Sequence, residues 1–373
     1  MGNEILMKRI LVFGITNNMG GIESVIMNYY KTIDHNKIQF DFLCNTEVVA
    51  YEKEILSLGG NIYRITARSK NIKKFKTELN TFFKEHSDEY STIWVNVCSL
   101  ANIDYLKYAK KYGIKKRIIH GHNSQNMDSN IRGIFHKINK LFIKKYATDF
   151  WSCSDETGKF FFCRSILNSD KYKLINNAID IKKYSYNLKI REEYRNSLGI
   201  KDKLVFGNIG RFHFQKNQLF VISIFNEILK REKNSILLLV GQGDDEYILK
   251  NKVKELNIEN KVRFLGIRDD IANLLQAFDI LLFPSLFEGL PLTLIEAQAS
   301  NLLIFTSDIF SNKVILSSNL HFVSLNENEI VWCDRILSEK NNVKKRKNNN
   351  EIITNYGFDI STETKKLEKY LGS

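Results

Sequence analysis

Residues 279–300, DILLFPSLFEGLPLTLIEAQAS, have the pattern of a short apolar strand, a loop that contains glycine and a helix. The strand is expected to end near Phe283. The helix is expected to begin near Pro291, because the N–H that proline lacks would have no partner in a first helical turn. Short apolar strands alternate in the same way with amphipathic, helix-length segments along both halves of the chain, which predicts βαβ units and parallel sheets. Ligands of such doubly wound α/β sheets bind at the carboxyl ends of the strands.

The length of 373 residues exceeds what one ordinary hydrophobic core supports, so we expect two domains. The alternation breaks near 183–202, which predicts Rossmann-like domains over 1–185 and 186–355, facing each other across a cleft. The polar stretch 341–351 is expected to be a loop. Residues 356–373 are expected to hold a final helix that packs toward the first domain. Strands are predicted at 9–15, 39–44, 61–65, 92–97, 117–120, 204–209, 236–240, 262–265, 280–283 and 302–305.

The net charge of +13 is concentrated in the first half of the chain. Residues 1–185 carry 29 Lys and Arg against 18 Asp and Glu, and the remaining residues carry 26 against 24. An anionic lipid, a nucleic acid or an acidic substrate would match this surplus, and so would a lysine-rich solvated surface. The sequence contains no nucleic-acid-binding motif, so no nucleic acid is expected as a partner. Five scattered cysteines without a C-x-x-C pair indicate free thiols in a reducing cytoplasm, without a metal cluster.

Two carboxylates stand out in the quoted stretch, because Glu288 and Glu296 are its only charged residues between 280 and 300. Carboxylates in so apolar a segment are costly unless they are paired, hydrogen-bonded or bound to a ligand. The free N–H groups where the helix begins would form an anion-binding site next to them. Residues expected to line this site are Gly289, Leu290, Pro291 and Leu292. Glu296, in the second turn, is expected to reach ribose hydroxyls.

A second segment, GRFHFQKN at 210–217, follows a predicted strand and opens a predicted helix. Arg211 and Lys216 lie five residues apart in this loop. A guanidinium can bind a diphosphate with two hydrogen bonds, and an ammonium acts as a point charge. Alone, the two residues would be ordinary surface cations. Together with the carboxylate stretch, they favour a nucleotide-diphosphate site.

These segments resemble the family-4 glycosyltransferases, which are retaining enzymes with two Rossmann-like domains (GT-B), over nearly the whole chain. The family's E-x7-E signature matches Glu288 and Glu296, and its G-R-x4-K-N element matches 210–217. The F-x-G segment matches 264–266, and the V-G-x-G turn matches 240–243. Each motif is short, but all occur in the family's order and spacing. The nearest resemblance is to transferases of bacterial capsule and exopolysaccharide synthesis.

The resemblance implies a role for each matched residue. Arg211 and Lys216 would hold the donor diphosphate, Glu288 would contact the transferred sugar, and Glu296 would contact the ribose. The backbone from Gly266 onward would lie against the base. The remaining donor-binding residues that it implies are Gly210, Gly241 and Arg268.

The implied reaction is retaining transfer of a hexose or N-acetylhexosamine from a nucleotide diphosphate sugar, expected to be a UDP-sugar. The C-terminal domain would bind this donor, and the N-terminal domain a glycan or polyprenyl-diphosphate-linked acceptor. The expected location is the cytoplasm, at the inner face of the cell membrane. No cofactor is expected, and no metal, because the sequence lacks a D-x-D motif. A nucleotide-sugar epimerase of similar layout and a catalytically silent transferase-like subunit are the two alternatives.

Two segments of the first half also match sites of the family. Gly20 and Gly21 open a predicted helix, where paired glycines let the backbone approach a ligand closely. The resemblance places this loop by the donor phosphates and the acceptor, although a plain tight turn would have the same sequence. His120 and His122 end a predicted strand, and the alignment with the family favours His122 as the histidine near the transferred sugar. An imidazole there could bind the sugar or move a proton.

Residues 131–147, IRGIFHKINKLFIKKYA, form a basic amphipathic pattern with helical spacing. Two interpretations fit this pattern. In the first, the apolar side packs on the protein core and the lysines face water. In the second, the helix binds to an anionic membrane surface.

Overall fold

The computed structural model describes residues 7–125, 129–288, 290–310 and 316–372, apart from the side chains of 344 and 345. The chain divides into two compact units. One comprises Met1–Ala178 with Ile360–Ser373, and the other comprises Ile179–Asp359. Each unit is a parallel α/β sheet flanked by helices, the fold class that the sequence predicts.

The division between the units falls before Ile179, whereas the expected boundary followed residue 185. Residues 179–185 belong to the second unit because they form hydrogen bonds with its last residues, near 350–358. The backbone N–H of Ile179 donates to the carbonyl of Phe358. The hydroxyl of Ser185 donates to Asn350 Oδ1 at 2.8 Å.

The first unit contains a sheet of seven parallel strands. These strands are β1 (Lys8–Phe13), β2 (Ile38–Cys44), β3 (Ile62–Arg64), β4 (Thr92–Val97), β5 (Lys116–Gly121), β6 (Asp149–Ser152) and β7 (Tyr172–Leu174). Their order across the sheet is β3-β2-β1-β4-β5-β6-β7. The direction of the crossovers therefore reverses between β1 and β4. Its helices are α1 (Gly21–Tyr30), α2 (Glu52–Ser57), α3 (Ile72–His86), α4 (Asp104–Lys111), α5 (Asn130–Phe142), α6 (Asp155–Phe161) and α7 (Arg164–Leu167).

The second unit contains six parallel strands. These are β8 (Leu204–Ile209), β9 (Ser235–Val240), β10 (Val262–Phe264), β11 (Ile280–Phe283), β12 (Leu303–Ser307) and β13 (Leu320–Val323), in the order β10-β9-β8-β11-β12-β13. The crossovers reverse between β8 and β11. Its helices are α8 (Ile181–Tyr184), α9 (Leu188–Ser197), α10 (Gln218–Arg231), α11 (Glu246–Glu255), α12 (Ile271–Ala277), α13 (Leu292–Ala299), α14 (Glu329–Ser338) and α15 (Asn350–Asn355).

Central strands are buried on both faces, which is why they appear in the sequence as continuous apolar runs. Every residue of β2, β9, β11 and β12 is buried. Trp94 and Trp151 are buried in the core of the first unit, and Trp332 is buried in the core of the second. The three strands that the sequence did not predict, β6, β7 and β13, are three or four residues long.

The expectation of a polar loop at 341–351 was wrong. A 3-10 helix spans Lys340–Lys345, and α15 begins at Asn350. Between them, Arg346 is buried and its guanidinium donates to the carbonyls of Ser300, Gln276, Leu275 and Phe278. Burial lowers the pKa of Arg346 to about 9. Its side chain holds together the carboxyl ends of two helices, so this segment is part of the second unit's core.

The final helix, α16 (Ile360–Gly372), belongs to the first unit. Glu368 accepts a hydrogen bond from the backbone N–H of Asp34 at 2.7 Å. The ammonium of Lys116 donates to the carbonyl of Tyr370. Among the described residues, no helix has both the length and the apolar character needed to cross a bilayer.

The interpretation in which the apolar side of residues 131–147 packs on the core was wrong. Helix α5 buries His136, whereas its large apolar side chains are exposed. The exposed residues are Ile131, Ile134, Phe135, Ile138, Leu141 and Phe142.

Candidate active site

Two loops of the second unit lie side by side where its crossovers reverse. One loop follows β8 and contains the predicted cations, and the other follows β11 and contains Glu288. Strands β8 and β11 are neighbours in the sheet, so residues after both strands meet at its carboxyl edge. This position is where doubly wound sheets bind their ligands.

Hydrogen bonds join these two loops. The backbone N–H of Leu286 donates to the carbonyl of Gln215 at 2.8 Å, and Gln215 Nε2 donates to the carbonyl of Phe287 at 2.9 Å. Asn217 Nδ2 donates to the carbonyl of Pro284 at 3.2 Å. Asn217 also adopts a left-handed backbone with φ of 56°, a conformation that asparagine tolerates. No motif in the sequence marked Gln215, which bridges the two loops through its side chain and its backbone carbonyl.

Lys216 and Glu288 form an ion pair at the centre of this arrangement. Lys216 Nζ lies 2.5 Å from Glu288 Oε1, and the two side chains are 18% and 10% exposed. The same ammonium lies 5.0 Å from the centre of the Phe283 ring. A cation and a carboxylate are therefore held together in a mostly desolvated position, where electrostatic interactions are stronger than in water.

The predicted glycines pack the three neighbouring loops of this sheet edge together. The N–H of Gly210 donates to the carbonyl of Val240 at 3.0 Å, and the N–H of Gly241 donates to the carbonyl of Gly266 at 2.9 Å. A Cβ on Gly241 would lie 2.0 Å from the Gly210 oxygen, and its φ is +139°. Only glycine fits there. A Cβ on Gly210 would lie 3.2 Å from the Lys216 side chain, so Gly210 also leaves room for the cation.

The two predicted arginines differ in their surroundings. Arg211 is exposed, and the structure gives its guanidinium no ion pair with any described residue. Arg268 forms two hydrogen bonds to Asp270, at 2.8 and 2.5 Å. Its guanidinium is therefore engaged within the protein. Arg211 and Lys216, rather than Arg268, are the cations beside the joined loops.

The predicted anion site at the start of α13 is described in part. Leu290 is half-buried, Pro291 is the N-cap residue and Leu292 begins the helix. Gly289 lies outside the described residues. In the next turn, burial raises the pKa of Glu296, and a hydrogen bond from the Tyr184 hydroxyl opposes this effect. Tyr184 lies in the segment 183–202, which was predicted to join the two domains, and no motif marked it.

In the first unit, Gly20 is the N-cap residue of α1 and Gly21 is its first residue. A Cβ on Gly20 would lie 2.7 Å from Glu23 Oε2, whereas a Cβ on Gly21 would meet nothing within 4 Å. Glu23 is 6% exposed and accepts a hydrogen bond from Thr16 Oγ1 at 2.5 Å. Burial raises the pKa of Glu23. Glu23 follows the glycine pair by two residues, and its burial was not predicted from the sequence.

His120 lies in β5 and His122 directly follows it, but the two have different environments. His120 is fully buried, and its ring stacks on Trp94. His122 Nε2 lies 2.9 Å from Asn96 Oδ1. Burial lowers the pKa of His122 to about 3, and burial with the neighbouring ring lowers the pKa of His120. Both imidazoles are therefore neutral at physiological pH.

Asn96, which no sequence motif marked, fixes the tautomer of His122. Asn96 Nδ2 points to the carbonyl of Phe13 at 3.3 Å, so its oxygen faces the imidazole and accepts from Nε2. The lone pair of His122 is then on Nδ1. A Cβ on Gly14, which follows β1, would lie 2.7 Å from the Asn96 Cβ. The end of β4 and the residues that follow β1 and β5 thus meet where the first sheet reverses.

The chain has two Rossmann-like units, and at the switch point of one of them a lysine pairs with the first glutamate of the E-x7-E motif. Both features are those expected of a glycosyltransferase of the GT-B class. The family described as Glycosyl transferases group 1 matches residues 190–353. The putative glycosyltransferase EpsF of Bacillus subtilis is 30% identical over 88% of this chain and 87% of its own. This chain belongs to the glycosyl transferases group 1 family.

A capsular relative and a solved structure agree with this assignment. The capsular polysaccharide biosynthesis glycosyltransferase CapH of Staphylococcus aureus is 25% identical over 94% of this chain and 95% of its own. HepE of Anabaena, crystallised in complex with UDP and glucose, has the same fold, with a TM-score of 0.79 at 17% identity. That likeness covers 98% of this chain and 99% of HepE. The family and the fold class that the sequence predicted are thereby confirmed.

Proposed function

We propose that this glycosyltransferase moves a hexose or N-acetylhexosamine from a UDP-sugar to a glycan or a polyprenyl-diphosphate-linked sugar, with retention of the anomeric configuration. The enzyme would act in capsule or exopolysaccharide synthesis, at the inner face of the cell membrane. The second unit would bind the donor and the first unit the acceptor. The ion pair between Lys216 and Glu288 carries this proposal, because it sets a cation for the diphosphate beside a carboxylate for sugar hydroxyls.

The donor diphosphate would bind the joined loops of the second unit. Lys216 and the exposed guanidinium of Arg211 are the cations for it, and the start of α13 supplies backbone donors. Glu288 would accept hydrogen bonds from the sugar. Glu296 would accept them from the ribose, in surroundings apolar enough to raise its pKa. UDP is the proposed nucleotide because HepE, which shares the fold, was crystallised with it.

Retention would follow from substitution on the front face of the sugar. The acceptor oxygen would bond to the anomeric carbon on the side from which the diphosphate departs. The proton of the acceptor hydroxyl would pass to the departing phosphate oxygen. Negative charge grows on that phosphate as its bond to the sugar breaks, so Lys216 and Arg211 would stabilise the transition state more than the ground state. This scheme needs neither a metal nor a cofactor.

In the first unit, we assign the sugar-facing role to His122 rather than His120. His120 is enclosed by tryptophan rings and fully buried. His122 is partly exposed as a residue, and its Nε2–H is occupied by Asn96. Its Nδ1 is buried without a hydrogen-bond partner among the described residues, so it remains as an acceptor for a hydroxyl. Gly20 and Gly21 would allow the backbone at the start of α1 to approach the substrates.

The test is product analysis with a panel of UDP- and GDP-sugars, each with and without a polyprenyl-diphosphate-linked sugar. Glu288→Gln is the test variant. Glu246→Gln is its control, because Glu246 forms a surface ion pair with Lys250 in the same unit. Acceptor-dependent transfer from a UDP-sugar, lost in Glu288→Gln alone, with retained configuration in the product's NMR spectrum, would support the proposal. Donor rearrangement without acceptor would instead indicate an epimerase, and UDP binding without turnover would indicate a silent subunit.

A further inference from the structure

Polar side chains attach helix α5 to the first unit. His136, 3% exposed, accepts a hydrogen bond from the backbone N–H of Leu100 at 3.0 Å through Nδ1. Its Nε2 lies 3.2 Å from the carbonyl of Phe160. Asn139 Nδ2 donates to the carbonyl of Leu100 at 2.6 Å, and Lys140 donates to the carbonyl of Phe160 at 2.8 Å. The side of α5 that faces the protein is therefore the polar side.

The apolar side of α5 faces away from the protein. At 100° per residue, its six large apolar side chains fall within an arc of about 120° on the side opposite His136. Their exposed fractions are 67% for Ile131, 57% for Ile134, 48% for Phe135, 46% for Ile138, 74% for Leu141 and 56% for Phe142. An ordinary surface helix buries its apolar side, so this arrangement is inverted. A contiguous exposed apolar surface of this kind marks an interaction site.

The charged residues of α5 and of the turn that follows it are all cations. Residues 129–148 contain no Asp or Glu and five cations, namely Arg132, Lys137, Lys140, Lys144 and Lys145. Beside the helix, a groove of about 580 Å³ is lined by Lys137, Lys140 and Lys159 together with His136 and Phe160. Lys137 and Lys159 are exposed at this groove. Two copies of such a surface would repel each other, whereas a layer of anionic headgroups over an apolar interior complements it.

We propose that the outer side of α5 binds the surface of an anionic membrane. The helix would lie parallel to the bilayer, with the six apolar side chains in the interface and lipid phosphates at Lys137 and Lys159. Its 13 residues span about 20 Å, too short to cross the hydrocarbon core. The proposal gives a structural basis for the membrane location in the proposed function, but it does not depend on the identity of the donor or acceptor.

The first test measures co-sedimentation of the full chain with phosphatidylcholine vesicles. One set of vesicles contains about one third anionic phosphatidylglycerol, and the other contains none. Ile131→Ser/Leu141→Ser should weaken binding to the anionic vesicles at least about tenfold. Val48→Ser/Leu56→Ser is the matched control, since these residues of the same unit are 69% and 54% exposed. The control should bind like the wild type. Equal thermal melting of all three proteins shows that folding is unchanged.

The second test concerns charge. Lys137→Gln/Lys159→Gln should weaken binding by about fivefold for each lysine, whereas Lys73→Gln/Lys76→Gln on α3 removes the same charge with little effect. Binding of the wild type should also fall as salt is raised. Equal binding to neutral and anionic vesicles would overturn the proposal. So would wild-type binding by Ile131→Ser/Leu141→Ser, or a dimer in sedimentation equilibrium that this variant abolishes.

Activity on a short, water-soluble acceptor separates this proposal from the proposed function. Ile131→Ser/Leu141→Ser should retain that activity, because the two side chains are exposed on α5 and neither residue belongs to the predicted site. Loss of vesicle binding with retained activity supports membrane docking. An inactive wild type that still binds anionic vesicles through α5 would contradict the proposed function and leave the docking surface supported.

Discussion

The ion pair between Lys216 and Glu288 gives the sharpest test of the donor site. If the two residues have separate roles, their substitutions will change the affinity for UDP in opposite directions. Lys216→Met should weaken UDP binding, because the diphosphate loses a cation. Glu288→Gln should tighten UDP binding, because the carboxylate no longer competes for the same ammonium, while transfer of the sugar falls.

The magnitudes follow from the geometry. A hydrogen bond to a charged group contributes about 1.5–3 kcal/mol, so Lys216→Met should weaken UDP binding roughly 10- to 150-fold. The 2.5 Å pair is mostly but not fully desolvated. Freeing Lys216 from Glu288 should therefore strengthen UDP binding by only about 1 kcal/mol, or roughly fivefold. Losing the contact to the sugar in the transition state should lower kcat about 100-fold in Glu288→Gln.

Isothermal titration calorimetry with UDP measures the affinities, and initial rates on the best acceptor measure kcat. Lys250→Met and Glu246→Gln, from the surface ion pair of α11, serve as controls with an unchanged UDP affinity. A Glu288→Gln variant that weakened UDP binding as much as Lys216→Met would refute separate roles for the two residues. That result would mean that the pair supports the loops as one structural unit and that Lys216 is not a separate ligand of the diphosphate.

Three other predictions concern the glycine contact, His122 and Glu296. Gly241→Ala should lower the free energy of unfolding by roughly 2–4 kcal/mol and abolish UDP binding, because its Cβ would meet the Gly210 oxygen at 2.0 Å. On acidification from pH 7.5 to 5.0, protonation of His122 in the unfolded chain should lower the free energy of unfolding by about 2 kcal/mol. The substitution His122→Asn should largely remove this loss. The sign follows because burial lowers the pKa of His122 to about 3 in the folded protein. The contribution of the neutral imidazole to stability is therefore fully present above the unfolded pKa of about 6.5 and is lost on acidification. Glu296→Gln should raise the melting temperature at pH 8 more than at pH 4, because burial raises the pKa of this carboxyl and its ionised form is costly in the folded state. It should also weaken UDP binding about tenfold.

Unfolding in urea at several pH values and UDP titration measure these three effects. Gly21→Ala is the control for the glycine substitution, since its Cβ meets nothing within 4 Å. A Gly241→Ala protein that binds UDP normally would contradict the packing argument. An unchanged acid profile in His122→Asn would show that the imidazole is not held neutral. A Glu296→Gln protein with unchanged UDP affinity would remove Glu296 from the donor site.

The central strands were predictable because their side chains are buried on both faces. The predicted bounds of β4, β8 and β11 agree with the structure, and those of β9 differ by one residue. Strands β6, β7 and β13 were not predicted, although β3 and β10, which are equally short, were. Their pairing with a neighbouring strand, such as Phe150 with Tyr172, makes them strands.

The site was predictable to the extent that it consists of loop motifs. The sequence located Lys216 and Glu288 in separate segments, 72 positions apart. That they form an ion pair depends on β8 and β11 being neighbours, which the chain order does not state. Asn96 and Tyr184 were missed for the same reason, because each is an ordinary residue until a partner from another element lies against it.

For helix α5, the sequence by itself determined the amphipathic pattern and the absence of acidic residues. It could not determine which side faces the protein. The tertiary structure decided this, because His136 and Asn139 find backbone partners at Leu100 and Phe160 that only the folded unit brings near them. Helical periodicity depends on the chain alone, whereas the direction of each side depends on the groups that the rest of the fold places around it.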